Sequence, residues 1–155
     1  MPSSNRGVDH LSLVPPQQPP DDDWQYSLQV PCDPRSPGVA RSTVRSVLRG
    51  HGLPHLTDTA VLLTSELVTN AVRYSSSPPM VLVKRRGTQL RVSVWDSAPP
   101  TSVVGQWSPH EVCGRGLFLV RQLADDWGQY RLSPGPARCG VGDGKVIWFT
   151  CEASD

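Results

Sequence analysis

The chain has 155 residues, 37% of them hydrophobic and 19% charged, with a formal net charge of +1. That length suits one domain with a full core rather than two, and the balance excludes a membrane span, a polybasic nucleic-acid arm and an acidic tail as dominant features. The thirteen arginines, against two lysines, are scattered and mark no anion-binding patch. Cys32, Cys113, Cys139 and Cys151 are widely spaced with no C-x-x-C pair, which reads as reduced thiols rather than a disulfide framework or zinc site. The N-terminus lacks a basic segment leading into an apolar one, so a cytoplasmic protein is expected.

Residues 1–23 carry little apolar periodicity, include Pro15-Pro16-Gln17-Gln18-Pro19-Pro20 and end in Asp21-Asp22-Asp23. Such a segment cannot offset its chain entropy, so a disordered leader is expected ahead of a domain over 24–152. Trp24, Tyr26, Leu28 and Val30 then alternate with polar residues, the period of a half-buried strand that Pro31 closes. Ser36-Pro37 predicts an N-cap and a first helical proline, followed by Val39, Ala40, Val44, Val47 and Leu48 at helical spacing up to Gly50. A second helix is predicted from about Leu56 to Tyr74 and ends at Ser75-Ser76-Ser77-Pro78-Pro79.

Met80 to Arg86 and Gln89 to Trp95 predict a hairpin across Gly87-Thr88, with Asp96 at the exit of its second strand. A long aperiodic loop follows, from Ser97 to Cys113. Gly114-Arg115-Gly116 opens a third helix, which Trp127-Gly128 is expected to terminate. Strands over Gln129 to Ser133 and Lys145 to Glu152 close the chain. This order predicts an α+β fold, a two-layer sandwich with helices on one face of a mixed, mostly antiparallel sheet.

Glu66 and Asn70 are four apart on the second helix, so their side chains share one face about 6 Å apart. A carboxylate there can accept a proton from an attacking hydroxyl, and an amide oxygen one turn on can ligate a hard cation such as magnesium. Taken alone, the pair is equally at home on a solvated polar face. Asp96 can accept from an exocyclic amine or cap a loop. Gly114-x-Gly116 before a helix allows close backbone approach to a phosphate, or supplies a hinge.

Taken in order, these segments resemble the ATP-binding domain shared by gyrase, heat-shock chaperones, sensor histidine kinases and mismatch-repair ATPases. They are most similar to its anti-sigma-factor serine/threonine kinase branch. The resemblance rests on Ser65-Glu66-Leu67-Val68-Thr69-Asn70-Ala71-Val72-Arg73-Tyr74, Val92-Ser93-Val94-Trp95-Asp96, Gly114-Arg115-Gly116-Leu117 with Leu119-Val120, and Gly144-Lys145-Val146, and spans Trp24 to about Glu152. It implies the histidine-kinase-like ATPase (Bergerat) fold and the cofactors ATP and Mg2+. Asn70 would hold the metal, Asp96 the adenine amino group, and Gly114, Arg115 and Gly116 the phosphates, with Arg73 close by. Glu66 would be the general base that activates a serine or threonine hydroxyl of a protein substrate.

The implied partners are a sigma factor, an anti-sigma antagonist or both, and a second copy of the chain, with no direct contact to nucleic acid or membrane. The chain departs from the family pattern D-x-G-x-G, reading Asp96-Ser97-Ala98-Pro99-Pro100, which stiffens the loop and removes backbone donors. After Gly144, where the family often has threonine, stands Lys145, placed to reach a phosphate or to lie at the surface. The rival expectation is therefore a non-catalytic protein-binding module, responsive to nucleotide or free of it.

Overall fold

The computed structural model describes residues 23–98, 114–132 and 143–153. The predicted leader up to residue 22, most of the predicted loop after Asp96, and Cys113 and Cys139 lie outside them. The elements run β1 (Trp24–Gln29), α1 (Ser36–Gly50), a single 3-10 turn (Pro54–Leu56), α2 (Thr57–Tyr74), β2 (Met80–Arg86), β3 (Gln89–Asp96), α3 (Gly114–Leu123), β4 (Asp126–Leu132) and β5 (Gly144–Glu152). The strands form one five-stranded sheet in the order β1-β2-β3-β5-β4. Every strand pair among the described residues is antiparallel.

Alternation along the strands sends one set of side chains into the core. Leu90, Val92 and Val94 of β3 face Cys151, Phe149 and Ile147 of β5 across the ladder, and Val81 and Val83 continue the layer on β2. The helices cover this face with Ala40, Val44 and Leu48 from α1 and Ala60, Leu63, Leu67, Val68 and Ala71 from α2. Each fully buried valine or leucine in that layer contributes about 1.5–3 kcal/mol. The edge strand β1 is tied to the end of α1 by Trp24, stacked on His51 at 4.3 Å, and by Tyr26, whose hydroxyl lies 2.9 Å from His51 Nε2. No described helix is long and apolar enough to cross a membrane.

Three local expectations are corrected. Ser36 is the first helical residue and not the cap: Arg35 occupies the N-cap position, and the buried Ser36 hydroxyl donates to the Pro31 carbonyl at 2.7 Å. Trp127-Gly128 does not end α3 but belongs to β4. The helix stops at Leu123, the Asp125 N–H already donates to Thr150 O of β5 at 3.0 Å, and Gly128 is the strand position over which the Trp148 ring lies. A Cβ at Gly128 would stand 2.8 Å from Trp148 Cζ2, which gives that glycine a sheet-packing reason. Finally, Asp23, grouped with the leader by composition, accepts from the N–H of Gly87 at 2.9 Å and so fastens the hairpin turn.

Candidate functional site

The predicted site residues gather in two groups. The first is the contact between α2 and the start of α3. Glu66 and Asn70 are partly buried on one side of α2, and α3 begins at Gly114 as expected, bringing the buried Gly116 against them. A Cβ at Gly116 would stand 3.2 Å from Asn70 Nδ2 and 3.2 Å from Glu66 Oε2, so the absence of a side chain there is what lets the helix start come down on both. Backbone, carboxylate and amide thus surround one small space that any larger residue would fill. The opening turn of a helix offers unpaired N–H groups, which suit phosphate oxygens.

That arrangement suits the phosphates of a nucleoside triphosphate and a magnesium ion held with them. Asn70 offers one neutral oxygen, and among the described residues no group of three His, Cys, Asp or Glu side chains forms a protein cage for a metal. Magnesium suits such a site, because it takes few protein ligands and completes its shell with water and phosphate. Arg115 is the second residue of α3, and its side chain lies outside the described ones. Arg73, exposed, lines a separate cleft of about 540 Å³ with Cys32, Gly38, Arg41 and Thr69. Arg41 also donates from Nη1 to Ser65 Oγ at 2.8 Å, bracing the residue before Glu66.

The second group sits at the end of β3. Asp96 is the last residue of that strand, as expected, and faces inward in phase with Leu90, Val92 and Val94. Directly across the ladder stands Lys145, in phase with Ile147, Phe149 and Cys151. Lys145 Nζ lies 3.2 Å from Asp96 Oδ1, with the two side chains only 7% and 5% exposed. The surface position open to Lys145 in the sequence is thereby ruled out. Burial pushes the Asp96 carboxyl above its ordinary range, opposed by the Lys145 ammonium and by the Ala98 N–H, which donates to Oδ1 at 2.8 Å. Removing one member of a buried ion pair costs about 3–5 kcal/mol, because the other charge is left uncompensated.

Close backbone packing holds this pair. A Cβ at Gly144 would overlap the Asp96 carbonyl oxygen and stand 2.8 Å from Trp95 Nε1, so only glycine lets β5 approach there. On the other side, Ser97 Oγ accepts from the N–H groups of Ser76 and Ser77 at 3.0 and 3.1 Å and lies 2.9 Å from Ser75 Oγ, while the Ser97 N–H donates to Ser75 Oγ at 3.1 Å. This knot ties the end of α2 to the strand exit carrying Asp96. Ser75 follows Asn70 by about 7.5 Å of helical rise, which sets the scale between the two groups.

Lys145 was expected at a phosphate or at the surface, so its buried pairing with Asp96 was missed from the sequence, as was the serine knot. Lys145 shares the period of two with Ile147, Phe149 and Cys151, a signal that assigns it an inward position and that its charge obscured. The serine knot had no readable signal, since Ser75-Ser76-Ser77 looks like any loop and its partner is about twenty residues away. The model of one protein family, the histidine kinase-like ATPase domain, matches residues 30–150. No curated protein matches the chain.

Proposed function

The chain belongs to the histidine kinase-like ATPase domain family over residues 30–150, and from that premise we propose that it is an ATP-binding regulatory protein acting as a serine/threonine kinase. Its substrate in this reading is an anti-sigma antagonist, its output is transcription through a sigma factor, and it works as a homodimer. The observation that supports the proposal is the seating of Gly116 against both Glu66 and Asn70, which brings a helix start, a carboxylate and an amide around one space.

When bound, ATP supplies the transferable phosphoryl group and magnesium neutralises its charge. The chain's own residues do the rest. The first turn of α3 would orient phosphate oxygens through backbone N–H groups, and Asn70 would hold the metal. Glu66 takes the proton from the substrate hydroxyl as that oxygen attacks the γ-phosphorus and the bond to the β,γ-bridging oxygen breaks, leaving ADP. Because the two α2 side chains are one turn apart, base and metal ligand are fixed to one rigid element.

The test incubates the protein with Mg-ATP and candidate antagonists and reads phosphate incorporation by mass spectrometry, with calorimetry of Mg-ATP alongside. Glu66→Ala is expected to retain nucleotide affinity and to slow transfer by about a hundredfold or more. Equal incorporation by wild type and variant would remove Glu66 from the role of base, and no binding of Mg-ATP at millimolar concentration would remove the nucleotide itself. A second reading, a nucleotide-responsive binding module without transfer, is favoured by the Asp96–Lys145 pair, because one oxygen of the predicted base-reading carboxylate is engaged within the protein. Tight binding of Mg-ATP without incorporation into any partner would select it.

A further inference from the structure

Asp96 and Lys145 continue the rows Leu90–Cys151, Val92–Phe149 and Val94–Ile147, and so stand where the alternation would otherwise place two more apolar side chains. Close packing holds the charged pair in that position: Gly144 brings the β5 backbone onto the Asp96 carbonyl, and Ser97 locks the chain that leaves β3. Among the described residues, the donors placed on the carboxylate, Lys145 Nζ and the Ala98 N–H, fall on Oδ1. Among the described residues, Oδ2 is therefore the oxygen left to a ligand.

The protonation of a buried carboxyl decides what it can recognise. Ionised, it only accepts hydrogen bonds; protonated, it also donates one. An acceptor-only group receives the amino hydrogen at position 6 of adenine and opposes the oxygen that hypoxanthine carries at the same position. A protonated carboxyl can donate to that oxygen, so it separates the two bases poorly. Burial drives Asp96 toward its protonated form, and the ammonium opposite drives it back.

We infer that Lys145 is a positioning residue that holds Asp96 as an acceptor-only group, so that the base site selects a 6-amino purine nucleotide over its 6-oxo counterpart. The inference rests on the proposed nucleotide binding, with Asp96 on the base, and assigns to Lys145 a task distinct from phosphate contact. A lysine that touched phosphate would weaken both nucleotides equally on removal. A lysine that sets the state of Asp96 changes their ratio.

The experiment measures dissociation constants of Mg-ATP and Mg-ITP by calorimetry for wild type, K145M, K145R and K145Q, with thermal melts to confirm folding. Wild type is expected to prefer ATP by about tenfold or more, because a site built to accept a hydrogen bond from a ligand N–H rejects the analogue lacking it. In K145M the preference is expected to fall below about threefold, and in K145R to be retained, since that side chain keeps the positive charge. Should K145M fail to fold, K145Q carries the comparison: it keeps a donor without charge, and its preference is also expected to collapse. A wild-type ratio preserved in K145M, or in K145Q where K145M does not fold, overturns the assignment, as does a wild type that binds both nucleotides equally. A wild type that binds neither overturns the underlying proposal of nucleotide binding as well, which separates the two failures.

Discussion

Cys151, 4% exposed on β5 opposite Leu90, carries a thiol that burial, and then the nearby Asp125 carboxylate, push up to about 11. In the unfolded chain the same thiol ionises near its ordinary value of about 8.5. Because the folded value is the higher one, the contribution of this group to stability is complete below about pH 8.5 and is lost as pH rises towards 11, a total of about 3 kcal/mol. Unfolding free energies of wild type and Cys151→Ala from urea titrations between pH 8 and 11 are expected to converge by that amount; parallel profiles would show that the thiol does not titrate with folding. At this scale the sequence was legible where one residue type had one physical use. The place of Asp96, at the exit of an apolar strand, was legible in this way, while its use stayed open between reading an amine and capping a loop. Lys145 is the opposite case, for a lysine fits both solvent and a buried pair, and only its strand partner decides between them.

Among the elements, α3 depends most on what its neighbour allows. Its start at Gly114 was legible from the G-x-G ahead of an apolar helical period, and its end was not, because Trp127-Gly128 has the composition of a helix stop while forming part of a strand. What settles that end is the ladder with β5, a contact between segments that no local pattern encodes. The placement of Gly116 predicts the outcome of Gly116→Ala. The added methyl would press on Asn70 and Glu66 at 3.2 Å, while alanine in a helix is favoured over glycine by about 1 kcal/mol. Thermal stability is expected to stay within about 1 kcal/mol of wild type. Affinity for Mg-ATP is expected to fall about tenfold, equivalent to about 1.4 kcal/mol. Calorimetry showing unaltered affinity would detach Gly116 from the phosphate site.

For the whole molecule, the α+β order and the antiparallel sheet were legible because each strand carried its own alternation and each helix its own stripe. The connections between segments were not. Ser97 illustrates this: its hydroxyl accepts from two backbone N–H groups at the end of α2 and so joins the helical layer to the sheet beside Asp96. Ser97→Ala leaves those donors without this acceptor and is expected to lower the urea midpoint by the equivalent of about 1–3 kcal/mol with an unchanged m-value. Affinity for Mg-ATP should fall with it, since the same knot fixes the strand exit. A midpoint unchanged from wild type would mean that solvent replaces the hydroxyl at no cost.

The sheet order β1-β2-β3-β5-β4 has a consequence for how the site comes into being. The final strand of the domain enters the interior of the sheet, between two strands that precede it, and carries Lys145 to a residue almost fifty positions upstream. Such long-range pairing forms late, since the entropy of closing the intervening chain must be overcome first. Until β5 inserts, Asp96 lacks both its ladder partner and the ammonium of Lys145. In the proposed reading, selectivity for the nucleotide is therefore acquired only at the end of folding, once Lys145 reaches Asp96.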